Sequence, residues 1–183
     1  MSDINAKTQR WLEAMAAHVL EHGLTTASLR PLAKAAGTSD RMLIYHFGDK
    51  DGVIAALLSY LAEGFLGGLD AAIPEGRFPS RGALLGAIVA VMRNPVAAGY
   101  ARIWLDIVAA SARGEGAYAA TGGAMIDGFV AWVLARLPEG TTDPDTAARA
   151  LLTVLEGVMV MDAVGHGDVA DAAIAWFSSD SRQ

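Results

Sequence analysis

The sequence contains no cysteine among its 183 residues. A disulfide framework, a thiolate metal site and thiol catalysis are therefore excluded. Alternation of apolar and polar residues is also missing, so no β-strand is predicted. Long apolar runs are scarce: Ala83–Met92 stops at Arg93 and Leu151–Met161 is broken by Glu156, and neither reaches the ~20 residues of a membrane span. With no export signal visible at the N-terminus, we expect a cytoplasmic protein that does not enter the membrane.

Basic charge is also scarce, since the net charge is -6. That balance first argues against a nucleic-acid partner, because phosphate contacts need lysine and arginine. The charge is unevenly distributed, however. Residues 1–51 are neutral and hold every lysine, whereas the remaining residues carry the whole negative charge. An acidic body would be repelled by a phosphate backbone, so any docking on DNA would favour the N-terminal segment.

Apolar residues recur at helical spacing through most of the chain, and glycine, proline and N-cap residues lie where helices are predicted to begin or end. The pattern predicts an all-α protein of about nine helices. The first, about Thr8–His22, ends before Gly23, and a long fourth helix follows Gly48 and Asp49. Later helices begin after Ser80, at Asn94-Pro95 and at Asp143-Pro144, where proline suits the first helical position.

Two short helices, Ser28–Ala36 and Asp40–Phe47, flank a glycine turn and form a candidate helix-turn-helix unit, whose second helix would lie in the major groove. On a helical wheel Leu43 and Phe47 point towards a core. The opposite face carries Arg41, Met42, Tyr45 and His46. These side chains suit contacts with guanine, with a thymine methyl group and with phosphates. The alternative is an ordinary helical hairpin with a solvated polar face.

The segment Thr26–Val53 resembles the signature of the TetR (tetracycline repressor) family. The residues that carry the resemblance are Leu32-Ala33, Ala36-Gly37, Ser39, Tyr45-His46-Phe47-Gly48-Asp49-Lys50 and Gly52-Val53. The resemblance implies a three-helix DNA-binding head and a helical body. We therefore expect a helix-turn-helix domain at residues 1–50 and an effector-binding and dimerisation domain at residues 51–183.

The resemblance also implies residue roles and partners. Ser28 and Ser39 would contact phosphates, Lys50 would bind the DNA backbone at the start of the fourth helix, and Arg30 would reach the groove edge. The partner would be palindromic operator DNA. A homodimer would form through the last two helices, Asp143–Gly165 and Asp168–Phe177. The chain departs from the usual pattern at Arg41-Met42, where the family commonly has Gly-Thr, and at Ile44, where it commonly has tyrosine.

The body carries large apolar and aromatic side chains that suit either an ordinary core or a site for a small hydrophobic effector. The candidates for such a site are Met92, Tyr100, Trp104, Met125, Phe129, Trp132 and Met159. Arg102, Asp106 or Asp162 could supply a polar contact. The zinc-like spacing of His18 and His22 lacks a third ligand in register, so we expect an exposed histidine pair and no metal or cofactor. The segment Gly114–Ala119 imitates a dinucleotide-binding loop but follows a helix, which favours a plain loop.

These features predict a sequence-specific DNA-binding transcriptional regulator, a repressor that a small hydrophobic ligand releases from its operator, and not an enzyme. Two alternatives stay open. One is an all-helical small-molecule-binding protein or enzyme of similar fold that no longer binds DNA. The other is a repressor whose body is filled solid and takes no effector.

Overall fold

The computed structural model describes residues 2–180, and the side chains of residues 6–25 and 27–179. Within that part of the chain it contains nine α-helices and no strand, which confirms the predicted all-α fold. The helices are α1 Ser2–His22, α2 Leu29–Ala35, α3 Asp40–Phe47, α4 Lys50–Ala72, α5 Arg81–Met92, α6 Ala98–Ala112, α7 Gly116–Leu134, α8 Pro144–Ala163 and α9 Gly167–Asp180. Short 3-10 turns at Leu24–Thr26 and Pro95–Ala97 precede α2 and α6.

The predicted helix starts after Ser80 and at Asp143-Pro144 are confirmed, whereas the one at Asn94-Pro95 is wrong, because a 3-10 turn lies at Pro95–Ala97 and α6 begins at Ala98. The Ser80 hydroxyl accepts a hydrogen bond from the Ala83 N–H at 3.1 Å, and an Asp143 carboxylate oxygen accepts one from the Thr146 N–H at 3.3 Å. Hydrogen bonds from Thr146 lower the pKa of Asp143. Ser28 occupies the N-cap position of α2, but its hydroxyl makes no capping bond.

Backbone contacts divide the chain into two compact units. The first contains residues 1–65 and 98–125, and the second contains residues 66–97 and 126–183. The first unit therefore joins the predicted DNA-binding segment to the beginning of α4, to α6 and to the start of α7.

A hydrophobic core fills the first unit and includes the apolar stripe of α1. Its largest fully buried members are Met15, Leu32, Leu43, Leu57 and Ile107. Segments that are distant in sequence thus contribute to one core, and burial of a leucine-sized side chain is worth about 1.5–3 kcal/mol. The apolar face of α4 lies in this core from Val53 to Leu61.

Two polar side chains of α6 hold the end of α1 and the turn after it. Arg102 donates to the backbone carbonyl groups of Leu20 and Glu21, which are left without helical partners at the end of α1. An oxygen of Asp106 accepts a hydrogen bond from the Leu24 N–H at 2.9 Å. These contacts fix the junction between α1 and α2 on α6.

In the second unit α9 packs on α5 and α8. The approach of α5 and α9 is so close that a Cβ atom on Gly82 would lie 2.8 Å from the Ser178 Cα. Beside them Arg93 joins three helices: its guanidinium donates to Asp162 at 2.8 Å and to Asp171 at 2.7 Å. These hydrogen bonds raise the pKa of Arg93. The ion pairs hold the end of α8 and the start of α9 against the end of α5.

The end of α7 is fixed by a second polar cluster in the same unit. Asp70 accepts from the indole N–H of Trp132 at 2.8 Å and from the guanidinium of Arg136. The Arg136 guanidinium lies 3.9 Å from the Trp132 ring centroid, a cation–π arrangement. Arg77 also donates to the Leu137 carbonyl at 3.0 Å. The segment between α4 and α5 is thereby attached to α7.

By length and composition, α4 and α7 are apolar enough to cross a membrane, and the bent pair Arg81–Met92 and Pro95–Ala112 would be a third span if counted as one. The prediction of no span considered only uninterrupted apolar runs and missed these mixed helices. Their packing differs from that of a lipid-facing helix, which exposes large apolar side chains. The exposed positions of the two helices are mostly small or acidic, among them Glu63, Gly67, Gly68, Ala120, Gly123 and Asp127.

Candidate nucleic-acid interface

Helices α2 and α3 are joined by a tight turn at Gly37. This residue has a φ of 64°, a conformation that glycine adopts without steric cost. The Thr38 N–H donates to the Ala33 carbonyl at 2.9 Å and the Gly37 N–H donates to the Lys34 carbonyl at 3.2 Å. This pair of bonds is a Schellman C-cap. Ser39 then caps α3 by accepting from the Met42 N–H at 3.3 Å. The chain thus forms a helix-turn-helix unit with the α3 bounds that the sequence predicts.

Helix α3 has one buried side and one open side. Leu43 is fully buried and Phe47 is half-buried against the core, as the helical wheel predicts. On the other side Arg41 is exposed and Tyr45 has 78% of its surface exposed. Met42 packs partly against the core. The open side therefore consists of Arg41 and Tyr45 at its centre, with Met42 and His46 at its edges.

His46 is held at this edge by a contact that the sequence did not indicate. Its ring lies 5.0 Å from the Trp11 ring of α1, edge to face at 76°, and 5.2 Å from the Tyr45 ring at 89°. Aromatic rings favour such T-shaped arrangements. The contact connects α1 to α3 directly, although local periodicity does not relate two helices so far apart in sequence.

The turn between α3 and α4 leaves no space for a side chain at Gly52. A Cβ atom there would lie 2.1 Å from the backbone oxygen of Phe47. Gly48, with a φ of 94°, ends α3, and an Asp49 carboxylate oxygen accepts from the Gly52 N–H at 2.8 Å. The signature residues Gly48, Asp49 and Gly52 therefore form one tight corner between the two helices.

The other predicted DNA contacts all lie on the surface of the first unit. Ser28 and Arg30 are exposed at the start of α2, Ser39 is exposed at the start of α3, and Lys50 is exposed as the first residue of α4. Each of the three helices of the candidate interface thus presents a hydroxyl or a cation near its N-terminus. Their roles towards DNA stay predictions.

The predicted effector residues fall into both units. Tyr100, Trp104 and Met125 belong to the first, where they pack half-buried against the core, and the other four belong to the second. Burial raises the pKa of Tyr100, and nearby Tyr60 adds to the effect. Burial likewise raises the pKa of Tyr118, with Glu115 contributing. Both phenols therefore stay neutral near physiological pH and can donate hydrogen bonds.

The polar candidates for an effector site already have structural partners. Arg102 and Asp106 hold the end of α1 and the turn after it, and Asp162 pairs with Arg93. They are contacts within the fold. An effector would have to displace these bonds in order to use them.

The histidine pair and the glycine-rich loop also have local explanations. The rings of His18 and His22 lie 4.6 Å apart, and the described residues contain no group of three or more His, Asp or Glu that could hold a metal ion. His22 is exposed, but His18 is half-buried and its Nε2 atom is buried, so the expectation of an exposed pair is wrong for His18. Gly114 follows α6 instead of a strand. This position agrees with a loop and differs from the strand-to-helix setting of a dinucleotide site.

The geometry shows that the chain is an all-helical protein with an N-terminal helix-turn-helix unit. Residues 12–57 match the family model "Bacterial regulatory proteins, tetR family". None of the curated proteins matches the chain. Residues 12–57 thus carry the sequence pattern of the tetR family, and the fold of the whole chain is similar to that of TetR-family transcriptional regulators.

Solved structures agree over almost the whole length. A TetR-family transcriptional regulator from Rhodococcus sp. shares 18% identity, with 96% of each chain covered and a TM-score of 0.73. The multidrug binding protein EbrR, solved with imidazole, shares 24% identity over 94% of this chain and 90% of that one, with a TM-score of 0.68. GusR of Salmonella enterica shares 20% identity over 95% and 92%, with a TM-score of 0.66.

The corner between α3 and α4 gives a first prediction. Gly52→Ala should destabilise the protein by about 3 kcal/mol or more, because the new methyl group meets a backbone atom that cannot rotate away. Thermal or denaturant unfolding measures the effect. The matched control is Gly67→Ala on the same helix, where a Cβ would meet nothing within 4 Å. The control should stabilise the helix by roughly 0.5–1 kcal/mol. Equal effects of the two substitutions would contradict the assignment of the corner.

Proposed function

We propose that this chain is a sequence-specific DNA-binding transcriptional regulator: a repressor that a small hydrophobic molecule releases from palindromic operator DNA. The observation that carries the proposal is the open side of α3. Arg41 and Tyr45 project from a helix whose other side is anchored in the core by Leu43 and Phe47. In a helix-turn-helix unit this is the surface that enters the major groove.

The chemistry of the exposed residues suits the two kinds of DNA contact. Arg41 can donate two hydrogen bonds to guanine. Met42, which is half-buried at the edge of the open side, can contact a thymine methyl group with the part of its side chain that stays accessible. Ser28 makes no capping bond, so its hydroxyl is available to a phosphate. The Ser39 oxygen accepts from Met42, which leaves its hydroxyl proton for donation. Arg30 and Lys50 add positive charge at the edges of the interface.

Separate variants of α3 and α4 test this division of roles. Duplexes selected from a random-sequence library by the purified protein serve as the probe. Arg41→Ala should change the preferred base at one position of each half-site and cost about 1–3 kcal/mol there. Lys50→Gln should weaken all duplexes alike and reduce the salt dependence by about one unit per subunit. A selection that enriches no sequence, even at low salt, would overturn the proposed function.

A twofold partner follows from the proposed palindrome, and the last two helices offer a surface for it. Large apolar side chains stay exposed along α8 and α9, although the two helices already pack on each other and on α5. These are Val160, Val164, Val169 and Trp176, of which Trp176 is 68% exposed and Val164 is 62% exposed. The exposed positions of α8 include the small residues Ala150 and Gly157, together with Arg149 and Thr153. We infer a homodimer through α8 and α9.

Trp176 provides the test of the dimer, because tryptophan is enriched among the residues that contribute most to the affinity of interfaces. Trp176→Glu should shift the protein from dimer to monomer at micromolar concentration in analytical ultracentrifugation. Val96→Glu is the matched control, since Val96 is 87% exposed outside α8 and α9 and its charge should leave the dimer intact. A wild-type protein that is monomeric, or a Trp176→Glu dimer of unchanged affinity, would rule out this interface.

The effector part of the proposal places a hydrophobic ligand in the body. Within the first unit its candidate contacts are Tyr100, Trp104 and Met125, which pack half-buried against the core. EbrR, whose fold is similar, is a multidrug binding protein, which supports a ligand of this kind. Coupling to DNA has a physical route within the first unit. Tyr100 and Trp104 share α6 with Arg102 and Asp106, which hold the end of α1. A ligand that moves α6 would therefore move the DNA-binding helices.

Thermodynamic linkage between ligand and DNA binding provides the test of the effector. A panel of apolar aromatic compounds is screened for those that raise the melting temperature of the protein. A true effector should lower the affinity for the selected duplex, and the duplex should lower the affinity for the compound by the same factor. If compounds bind with no effect on DNA affinity, or if none binds, the protein is a regulator without an effector of this class.

The cellular setting follows from these proposals. We propose a cytoplasmic, non-enzymatic protein in which residues 1–50 bind DNA and residues 51–183 bind the effector and form the dimer. The contact-defined first unit is larger than residues 1–50. Part of the effector domain would therefore fold together with the DNA-binding domain, an arrangement that suits transmission of a ligand signal.

A further inference from the structure

A continuous row of side chains leads from the open side of α3 to the surface of α1. The Tyr45 ring contacts the His46 ring, and the His46 ring contacts the Trp11 ring. Trp11 is only 5% exposed and is fixed in the core. The ammonium group of Lys7 lies 5.0 Å from the centroid of the Trp11 ring. The row thus ends on an exposed cation whose position the buried indole holds.

We propose that Lys7 binds a DNA phosphate, on the strand that borders the groove entered by α3. The proposal rests on the DNA-binding function proposed above. Successive distances of 5.0, 5.0 and 5.2 Å place the Lys7 Nζ within about 15 Å of the Tyr45 ring. The major groove is about 12 Å wide. A cation at that distance from a side chain in the groove is within reach of the phosphates that line it.

The state of the ammonium group supports a phosphate contact. Among the side chains that the structure describes, no carboxylate lies within salt-bridge distance of the Lys7 Nζ. The indole face lies on one side of the group, and the exposed ammonium group carries three N–H donors. Holding the flexible lysine stem against a fixed ring also reduces the entropy lost when a phosphate binds. Lys7 is therefore a partly pre-positioned anion-binding group.

The competing explanation is local. Lys7 and Trp11 are four residues apart on α1, and pairs at that spacing contact each other in any helix and stabilise it by about 0.2–0.5 kcal/mol. A purely local pair would affect the stability of α1 but not the number of ions released on DNA binding. The salt dependence of DNA affinity distinguishes the two explanations, because each phosphate neutralised on B-DNA contributes about 0.9 to its slope.

The experiment uses the full-length dimer and the duplex selected by the wild-type protein, with affinity measured over a series of salt concentrations. Lys7→Gln should reduce the slope by about 0.9 per subunit, or about 1.8 for both half-sites. Lys7→Arg, which keeps the charge, should retain the slope. Arg113→Gln is the control for net charge, since Arg113 pairs with Glu115 at 2.9 Å after α6, and it should leave the slope unchanged.

The outcomes separate failure of this inference from failure of the proposed function. A Lys7→Gln protein with the wild-type slope, whether or not its melting temperature falls, would overturn the phosphate contact while DNA binding stands. Equal loss of slope in Lys7→Gln and Arg113→Gln would assign the effect to net charge and also overturn it. A wild-type protein that binds no duplex would overturn the DNA-binding function, and the role of Lys7 with it.

Discussion

The corner between α3 and α4 is the constraint on which the DNA-binding end of the molecule depends. The Phe47 carbonyl oxygen occupies the place where a Cβ atom of residue 52 would be, so only glycine fits there. Asp49 then closes the corner by accepting from the Gly52 N–H. Because the closest contact is between backbone atoms, side-chain rotation cannot relax it. The corner therefore sets the angle between α3 and α4, and any displacement of the first turns of α4 is passed to α3.

A second set of constraints joins α1 to α6 through polar contacts instead of packing alone. Arg102 satisfies carbonyl groups at the end of α1, and Asp106 satisfies the N–H of Leu24. Hydrogen bonds to charged groups contribute about 1.5–3 kcal/mol each, and their loss leaves backbone groups without partners. They also depend on direction, so a small shift of α6 weakens them more sharply than it weakens apolar contacts. The DNA-binding helices are thus attached to α6 by contacts that respond to its position.

Local features of the sequence predicted the helices, whereas contacts between residues distant in sequence could not be predicted from it. The bounds of α3 and the caps at Ser80 and Asp143 depend on residues within one turn of each other. The periodicity of α3 likewise predicted that Leu43 is buried and Arg41 exposed. By contrast, the Arg93–Asp162 pair joins residues 69 positions apart, and Arg102 meets Leu20 across 82 positions. Nothing in one helix specifies which other helix will lie beside it. Three polar residues that suited an effector site therefore make hydrogen bonds within the fold instead. They are Arg102, Asp106 and Asp162.

Charged side chains of α8 and α9 lie beside the apolar surface that we propose for the dimer. Arg93 pairs with both Asp162 and Asp171, so its guanidinium offsets part of the negative charge at the corner between the two helices. The apolar residues Val160, Val164 and Val169 stay exposed around this corner. Exposed ion pairs contribute about 0–1 kcal/mol, whereas buried apolar surface contributes about 25 cal/mol per Å². Association through this face would thus draw its free energy from the valines and Trp176. The ion pairs would hold the helices in the position in which those side chains can meet their symmetry mates.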